Sequence, residues 1–469
     1  MDSLARFFEL GAATPSVTRP MIHLIGDCMV DEYYYIEANR ISPEFPIAVM
    51  RSSHDNPTIV IPGGAGNAVM QFKHFNVDLQ YFGLIDNYVH SLLENFGIST
   101  SHCVFLSEGS HVPVKRRLYN GEFPLCRWDI EEKNYGLTEE QLSKVQLILL
   151  REYEQCRAPT VAVFSDYDKG LFTIPRQWFG REDVITIIDP KKGPLEKWVG
   201  CTVFKPNAKE ALELSGGITK WKQQCEFFQR VLGCLAVVIT NGDQGVMGRV
   251  SDRFFEYVPR SRAAAESVIG AGDCFVSFMA MGLAYGMDVV DVVVLAYEAA
   301  KIYVQRKHNQ PLVPVDLLRL VDPVAAKFVT PESLRNRDYR LVMTNGCFDL
   351  GLTANHIRSL QWAKNQGEKL VVAINDDESV RRLKGEGRPI MSVEERKRVV
   401  AGLECVDFVV DFSEDTPLEL VKTILPDCLV KGGDYKPEDV AGYGVVPIII
   451  HPLFEGLSTT EKINRLQKS

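Results

Sequence analysis

The chain has 469 residues, of which 46% are apolar and 24% charged, enough for two or three globular domains with sizeable cores. A formal net charge of −9 and a pI near 5.6 argue against a general nucleic-acid binder, while local basic sites for small anions remain open. The 11 cysteines are scattered singly without zinc spacing, which argues against a structural metal and for free thiols in a reducing cytoplasm.

Residues 1–20 carry only a short apolar patch and lack the apolar core of a signal peptide, so they read as an N-terminal extension. Next come β-rich runs alternating with helical patterns: "MIHLIGD", "TVAVFSD", "VITIIDP", "TVFKPN" and "LAVVITNG". Each run ends in Gly, Asp, Asn or Pro. In α/β sheets the loops at the carboxyl ends of strands build ligand sites, so these five loops are expected to assemble one large site. The apolar stretch "DVVDVVVLAYEAAKIYV" is broken by charge and reads as a buried helix. No stretch reaches the roughly 18 apolar residues of a membrane span, and no membrane partner is expected.

The first domain is expected over residues 21–318. The proline-punctuated stretch at roughly 310–338 reads as a linker with short helices, taken as residues 319–338. A second α/β series, "YRLVMTNG", "EKLVVAIND", "CVDFVVDF", "DCLVKGGD" and "VVPIIIHP", fills a smaller domain over residues 339–469.

The sharpest local signal is "SVIGAGDCF" at residues 267–275. Gly270, Ala271 and Gly272 lead into an apolar helix, so backbone N–H groups at its start would face an anion. Asp273 in the first turn could take a proton from an attacking hydroxyl. On this stretch alone, a tight turn with a capping aspartate is equally open.

With "GDCMVDEYYYIEANRISPEFPIAV", "PGGAGNAV", "FSDYDKG", "DPKKG", "KPNAKE" and "TNGDQG" in that order, residues 20–318 resemble the ribokinase-like (PfkB) sugar kinases. They are most similar to the kinase half of the bacterial bifunctional heptose enzymes. The resemblance implies a ribokinase-like α/β fold using ATP and Mg²⁺. It makes Asp273 the catalytic base and Gly270, Ala271 and Gly272 the anion hole. It puts Asp31, Gly63, Gly64 and Asn67 on the sugar, with Arg127 and Lys191 near the phosphorylated end. Asn207 and Glu210 would organise Mg²⁺ and phosphate, Glu210 indirectly. Thr240, Gly242 and Gly245 would form the nucleotide-side loop. Two positions depart from the family. Ser267 stands where an Asp often helps form a monovalent-cation loop, which leaves cation activation in doubt. Tyr297 replaces an adenine-side Asn. Related kinases commonly dimerise, so a homodimer is one expectation.

From Tyr339, the run "LVMTNGCFDLGLTANHIRSLQWAKNQGEKLVVAINDDESVRRLKGEGRPIMSVEERKRVV", then "KGGD" and "GLSTTEKI", resembles the nucleotidyltransferase half of the same enzymes. This implies a smaller Rossmann-like α/β domain that holds ATP over a helix N-terminus. Asn345, Gly346 and Phe348, followed by Asp349, form its first loop. His356 matches the second histidine of a His-x-Gly-His motif, and the helix is expected to begin there. Lys384, with Arg388 assisting, supplies charge for the phosphates, and Arg396 matches a family arginine. Lys431, Gly432, Gly433 and Asp434 match a nucleotide-side loop. Ser458, Thr459 and Thr460 match a phosphate-contacting motif.

The motif is altered, because Thr353 stands at its first histidine and Asn355 at its glycine. Losing an imidazole that stabilises transition-state charge typically costs about 10²- to 10³-fold in rate. Two readings follow. In one, a sugar-phosphate kinase is fused to a sugar-1-phosphate adenylyltransferase that yields an ADP-heptose-type product. In the other, an active kinase carries a weakened or non-catalytic nucleotidyltransferase-like binding domain.

Overall fold

The computed structural model describes residues 2–13, 19–52, 56–171, 179–259, 265, 267–349, 351–433 and 435–452. The chain divides into two compact units, Met1–Leu317 and Leu318–Ser469.

The first unit is built on an eight-stranded sheet. Its strands, from edge to edge, are Arg253–Tyr257, Val246–Val250, Ala236–Thr240, Val203–Phe204, Ile185–Asp189, Val161–Ser165, Met21–Gly26 and Asp78–Phe82. The first two pair antiparallel and the other six run parallel. The parallel strands are near-continuous apolar runs because both faces are covered. Val161–Ser165, for example, is buried throughout. The five loops expected to share a site therefore leave the same end of five adjacent strands.

A second sheet was not legible in the sequence. It has four strands in the order Phe123–Ile130, Val114–Asn120, Cys28–Tyr35 and Ile59–Gly64. Cys28–Tyr35 follows the first core strand after one residue, and its register places Asp31 opposite Lys115 and Ile61. The stretch read as a buried helix is the helix Val289–Tyr303, with Val292, Val293, Leu295, Ala296 and Ala299 buried.

The N-terminal extension and the stretch expected as a linker are both packed into the units they belong to. The helix Asp2–Ala13 buries Leu4 and Phe7, and the Phe7 ring packs on Phe278 and Tyr285. The stretch 319–338 is a packed part of the second unit. Leu334 lies in its core and Phe328 bridges to Val409.

The second unit has a five-stranded parallel sheet in the order Phe408–Phe412, Lys369–Asn375, Leu341–Gly346, Cys428–Lys431 and Ile448–Ile450. The chain order reverses at Leu341–Gly346, the switch point where doubly wound sheets open a ligand crevice. No helix among the described residues is long and apolar enough to cross a membrane.

Candidate active sites

The helix Ala271–Ala284 starts from Gly270, whose φ of 76° is left-handed. A side chain at Gly270 would collide with Asn67 Nδ2 at 2.3 Å, so this turn requires glycine. A methyl at Gly272 would meet nothing within 4 Å, so the helix start faces open space. Asp273 follows, only 3% exposed. Its Oδ2 accepts a hydrogen bond from Asn67 Nδ2 at 2.8 Å, and its Oδ1 accepts one from the Tyr167 hydroxyl. Burial pushes the carboxyl up to about 7, while the Tyr167 and Asn67 hydrogen bonds pull it down. An aspartate with that pKa is suited to accept a proton near neutrality.

Asn67, expected on the sugar, also accepts from the Tyr303 hydroxyl at 3.0 Å. Asn67 thus links Tyr303 to the Asp273 carboxylate. Asp31 is paired with Arg117 at 2.7 Å, both nearly buried. A side chain at Gly63 would meet the Asp31 carboxylate at 2.6 Å, and Gly64 has a φ of 57°. Arg127 lies on the exposed strand Phe123–Ile130 and bonds Asp129 through two nitrogens. Lys191, expected near the phosphorylated end of the sugar, donates to the Glu210 carboxylate at 3.0 Å.

Asn207 and Glu210 form a reciprocal capping box at the helix Ala208–Leu214. The Asn207 side chain accepts from the Glu210 N–H and the Glu210 carboxylate accepts from the Asn207 N–H, both at 2.9 Å. With Lys191 on its other oxygen, Glu210 has a hydrogen-bond partner on each carboxylate oxygen. Among the described residues no group of three or more His, Cys, Asp or Glu could hold a metal. Asn207 bridges to Thr240, which joins the two nucleotide-side loops. Gly242 and Gly245 have φ of 53° and 104°, and the Tyr297 hydroxyl donates to the Gly242 carbonyl at 3.2 Å. Ser267 accepts from the Ile269 N–H at 3.2 Å and so braces the turn before the helix Ala271–Ala284.

Sequence reasoning passed over a set of buried charges beside the base. Lys205, 2% exposed, pairs with Asp189 at 2.9 Å. Burial lifts Asp189 to about 6 against the pull of Lys205. Asp27 is buried at the end of Met21–Gly26, and burial lifts it to about 6. It accepts from the Tyr135 hydroxyl and from the Tyr167 N–H. Asp27, Tyr167, Asp189 and Lys205 all lie in segments the sequence marked, but only their placement shows that Tyr167, Asp189 and Lys205 bear on Asp273, with Asp27 behind Tyr167.

In the second unit, Asn345 and Gly346 end the switch-point strand Leu341–Gly346. Phe348 adopts a φ of 50° and sets its ring against His356. The helix runs Ala354–Lys364, so it starts two residues before His356. The reason is Thr353. Its hydroxyl accepts from the His356 N–H at 3.3 Å, and its own N–H donates to His356 Nδ1 at 3.2 Å. Thr353 is therefore the cap that fixes the histidine, a role the register comparison did not reveal. Burial and then Lys384 hold His356 below the ordinary histidine value, and the Gly351 backbone pulls the other way. Because Nδ1 accepts, the neutral ring carries its proton on Nε2. Leu360 and Ala363 are buried, as the helical spacing implied.

Lys384 ends the helix Asp377–Lys384. Lys384, Arg396 and Lys431 all bear electrostatically on Cys347 in the first loop. Arg388 bonds the 4%-exposed Asp349. Arg396 is fully buried and spent on structure. It donates to the Cys347 and Asn375 carbonyls at 2.7 Å and to Asp377 at 2.6 Å. Asn345 Oδ1, Asp349 Oδ2 and Asn355 Oδ1 are buried without a hydrogen-bond partner among the described residues. Each such group costs roughly 1–3 kcal/mol, which donors on a ligand would relieve. Gly433 follows Lys431 in its loop. Asp434, Ser458, Thr459 and Thr460 lie outside the described residues.

A carboxylate poised over a helix start at one set of strand ends, and a neutral histidine at the mouth of a switch-point crevice at the other, define a phosphoryl-transfer unit joined to a nucleotidyl-transfer unit. Residues 179–316 match the pfkB family carbohydrate kinases, and residues 343–444 match the Cytidylyltransferase-like family. The bifunctional protein HldE of Salmonella arizonae is 33% identical over 480 residues, covering 97% of this chain and 98% of that protein. Its counterpart in Shewanella sediminis is 32% identical over 483 residues, covering 96% and 98%. Phosphofructokinase-2 from Escherichia coli in complex with potassium shares the fold, with a TM-score of 0.52 at 16% identity over 64% of this chain and 97% of that one. The chain belongs to the HldE family of bifunctional proteins, enzymes that pair a carbohydrate kinase with a nucleotidyltransferase.

Proposed function

We propose that the first unit phosphorylates heptose 7-phosphate at its anomeric O1 and that the second adenylylates heptose 1-phosphate to ADP-heptose. The observation that carries the kinase step is the buried, two-point-held Asp273 at the open start of its helix. The sugar O1–H gives its proton to Asp273 as O1 bonds the γ-phosphorus of ATP and ADP leaves. The N–H groups of the first helical turn take the charge that develops on the phosphoryl oxygens. Mg²⁺, which the two families use in general, would supply charge neutralisation on the nucleotide phosphates. Glu210 would act on it only at second hand, by orienting Lys191 and the Asn207 loop.

Cations on the second sheet support a phosphorylated substrate. The Lys115 ammonium lies 5.9 Å from the Tyr167 ring centre, and burial holds it below the usual lysine value. Lys169, bonded to Glu131, shares the electrostatic neighbourhood of Lys115, as do Arg117 and Arg127. We assign the 7-phosphate to this group, so Lys115→Met should raise KM for the sugar phosphate with little change in KM for ATP. An unchanged sugar KM would remove that assignment.

In the second unit a sugar-phosphate oxygen displaces pyrophosphate from the α-phosphorus of ATP. His356 donates from Nε2, and Lys384 and Lys431 offset the phosphate charge. The eleven thiols, none in a disulfide, support a cytoplasmic setting. The exposed edge strand Phe123–Ile130, bearing Phe123 and Trp128, supports a homodimer through that edge. Sedimentation at several concentrations checks this, and a monomer throughout would contradict it. The test of the function is a pair of assays: ADP formation dependent on heptose 7-phosphate, and pyrophosphate release dependent on heptose 1-phosphate. Absence of either defeats the corresponding half.

A further inference from the structure

We propose that Tyr167 is a positioning residue of the kinase, fixing the Asp273 carboxylate through its hydroxyl while buried Asp27 fixes Tyr167 through its backbone N–H. This rests on the reading of Asp273 as the base. The base has two holders of different origin. Asn67 reaches Oδ2 from the short helix Ala65–Met70. Tyr167 reaches Oδ1 from the loop after Val161–Ser165. Each occupies one carboxylate oxygen, so together they set the rotation of the carboxylate plane. A lone pair remains on each oxygen for the sugar hydroxyl.

The loop carrying Tyr167 is itself pinned. Asp27 Oδ2 accepts from the Tyr167 N–H at 2.9 Å and from the Lys169 N–H at 3.4 Å. Asp166 accepts from the Asp168 N–H at 2.8 Å and pairs with Lys197. Tyr135, from a different segment, closes the far side of Asp27. Two buried carboxylates therefore fix the backbone from which the Tyr167 hydroxyl reaches Asp273.

The other charged or titratable groups that bear on Asp273 are Asp189 and Lys205 at neighbouring strand ends. Cys274 and Tyr303 pack beside it. Among the described residues none of these donates a hydrogen bond to the carboxylate, so loss of the Tyr167 hydroxyl leaves Asn67 as its side-chain donor. The Tyr167 hydrogen bond favours the ionised carboxylate, so its removal favours the protonated form.

The experiment is Tyr167→Phe in the full chain, with pyrophosphate release from ATP and heptose 1-phosphate reporting that the protein is folded. The expected result is a kcat for sugar-dependent ADP formation lower by about tenfold, the effect of one hydrogen bond to a charged group. KM for ATP should stay within about twofold, since the nucleotide loops are untouched. The acid limb of kcat/KM should move to higher pH. A second readout needs no turnover. In protein carrying ¹³C-carboxyl aspartate, the signal lost in Asp273→Asn identifies the base. Its titration midpoint should lie higher in Tyr167→Phe than in the unaltered chain. An unmoved midpoint, or unchanged kcat and pH profile, overturns the proposal. Unaltered protein that forms no ADP from heptose 7-phosphate would defeat the kinase reading instead, while the carboxyl titration would still decide the role of Tyr167.

Discussion

The two sites fix their reactive side chains over very different spans of chain. Asp273 is held by Asn67 and Tyr167, 206 and 106 residues away. His356 is held by Thr353, three residues away. A long-range hold depends on several strands and loops being correct together, and it tolerates little change at any of them. A local capping box travels with its own helix, so the loop around it can lose a histidine and a glycine while the remaining imidazole keeps its place. The comparison explains how the second motif can diverge from its family without losing its geometry.

The largest expected effect lies on the long-range side. Asp273→Asn should lower heptose 7-phosphate-dependent ADP formation by about 10³-fold, within the usual worth of a general base. Pyrophosphate release with heptose 1-phosphate should be unchanged. Loss of both would mean that the two activities depend on one another. In the unaltered enzyme the kinase kcat/KM should climb with pH up to about 7 and then level. The sign follows from the role: below its pKa the carboxyl is protonated and cannot accept the sugar proton. A profile already flat at pH 5–6 would contradict the buried-base account.

Next comes the local side. His356→Ala should reduce adenylyl transfer by about 10²-fold, the range for one lost donor to transition-state charge. His356→Gln should retain more, because its amide can donate the same neutral hydrogen bond. Since burial and Lys384 keep His356 neutral, its contribution should not change between pH 7 and pH 8.5. Equal losses in the two variants would show that a charged imidazole is required.

The smallest effect is the most pointed test of the difference. Thr353→His restores a histidine to the motif, yet it removes the cap that positions His356. It should leave adenylyl transfer no higher and cost about 1 kcal/mol of stability in thermal unfolding, the usual worth of an N-cap. A gain in pyrophosphate release would show instead that the missing histidine limits this site.

The parallel cores of both units were legible because each strand is a short apolar run closed by Gly, Asp, Asn or Pro. The sheet formed by Cys28–Tyr35, Ile59–Gly64, Val114–Asn120 and Phe123–Ile130 was not. Its pairings join distant segments, and its outermost strand is exposed throughout, which leaves no apolar run to read. Within the kinase site, Gly270 and Asp273 stood out through local turn chemistry. Tyr167 did not, because one tyrosine in a loop carries no signal until the fold sets it against a carboxylate. Arg396 shows the reverse. Its match to a family arginine drew attention to it, and the fold buries it fully against three backbone carbonyls and a carboxylate.

Despite Thr353 and Asn355, the second unit is expected still to transfer a nucleotide. Phosphorus NMR of the full chain with ATP, Mg²⁺ and heptose 1-phosphate tests it directly. The sugar 1-phosphate resonance should give way to the paired signals of a diphosphate diester while free pyrophosphate accumulates. A spectrum in which heptose 1-phosphate persists and no pyrophosphate forms would contradict it.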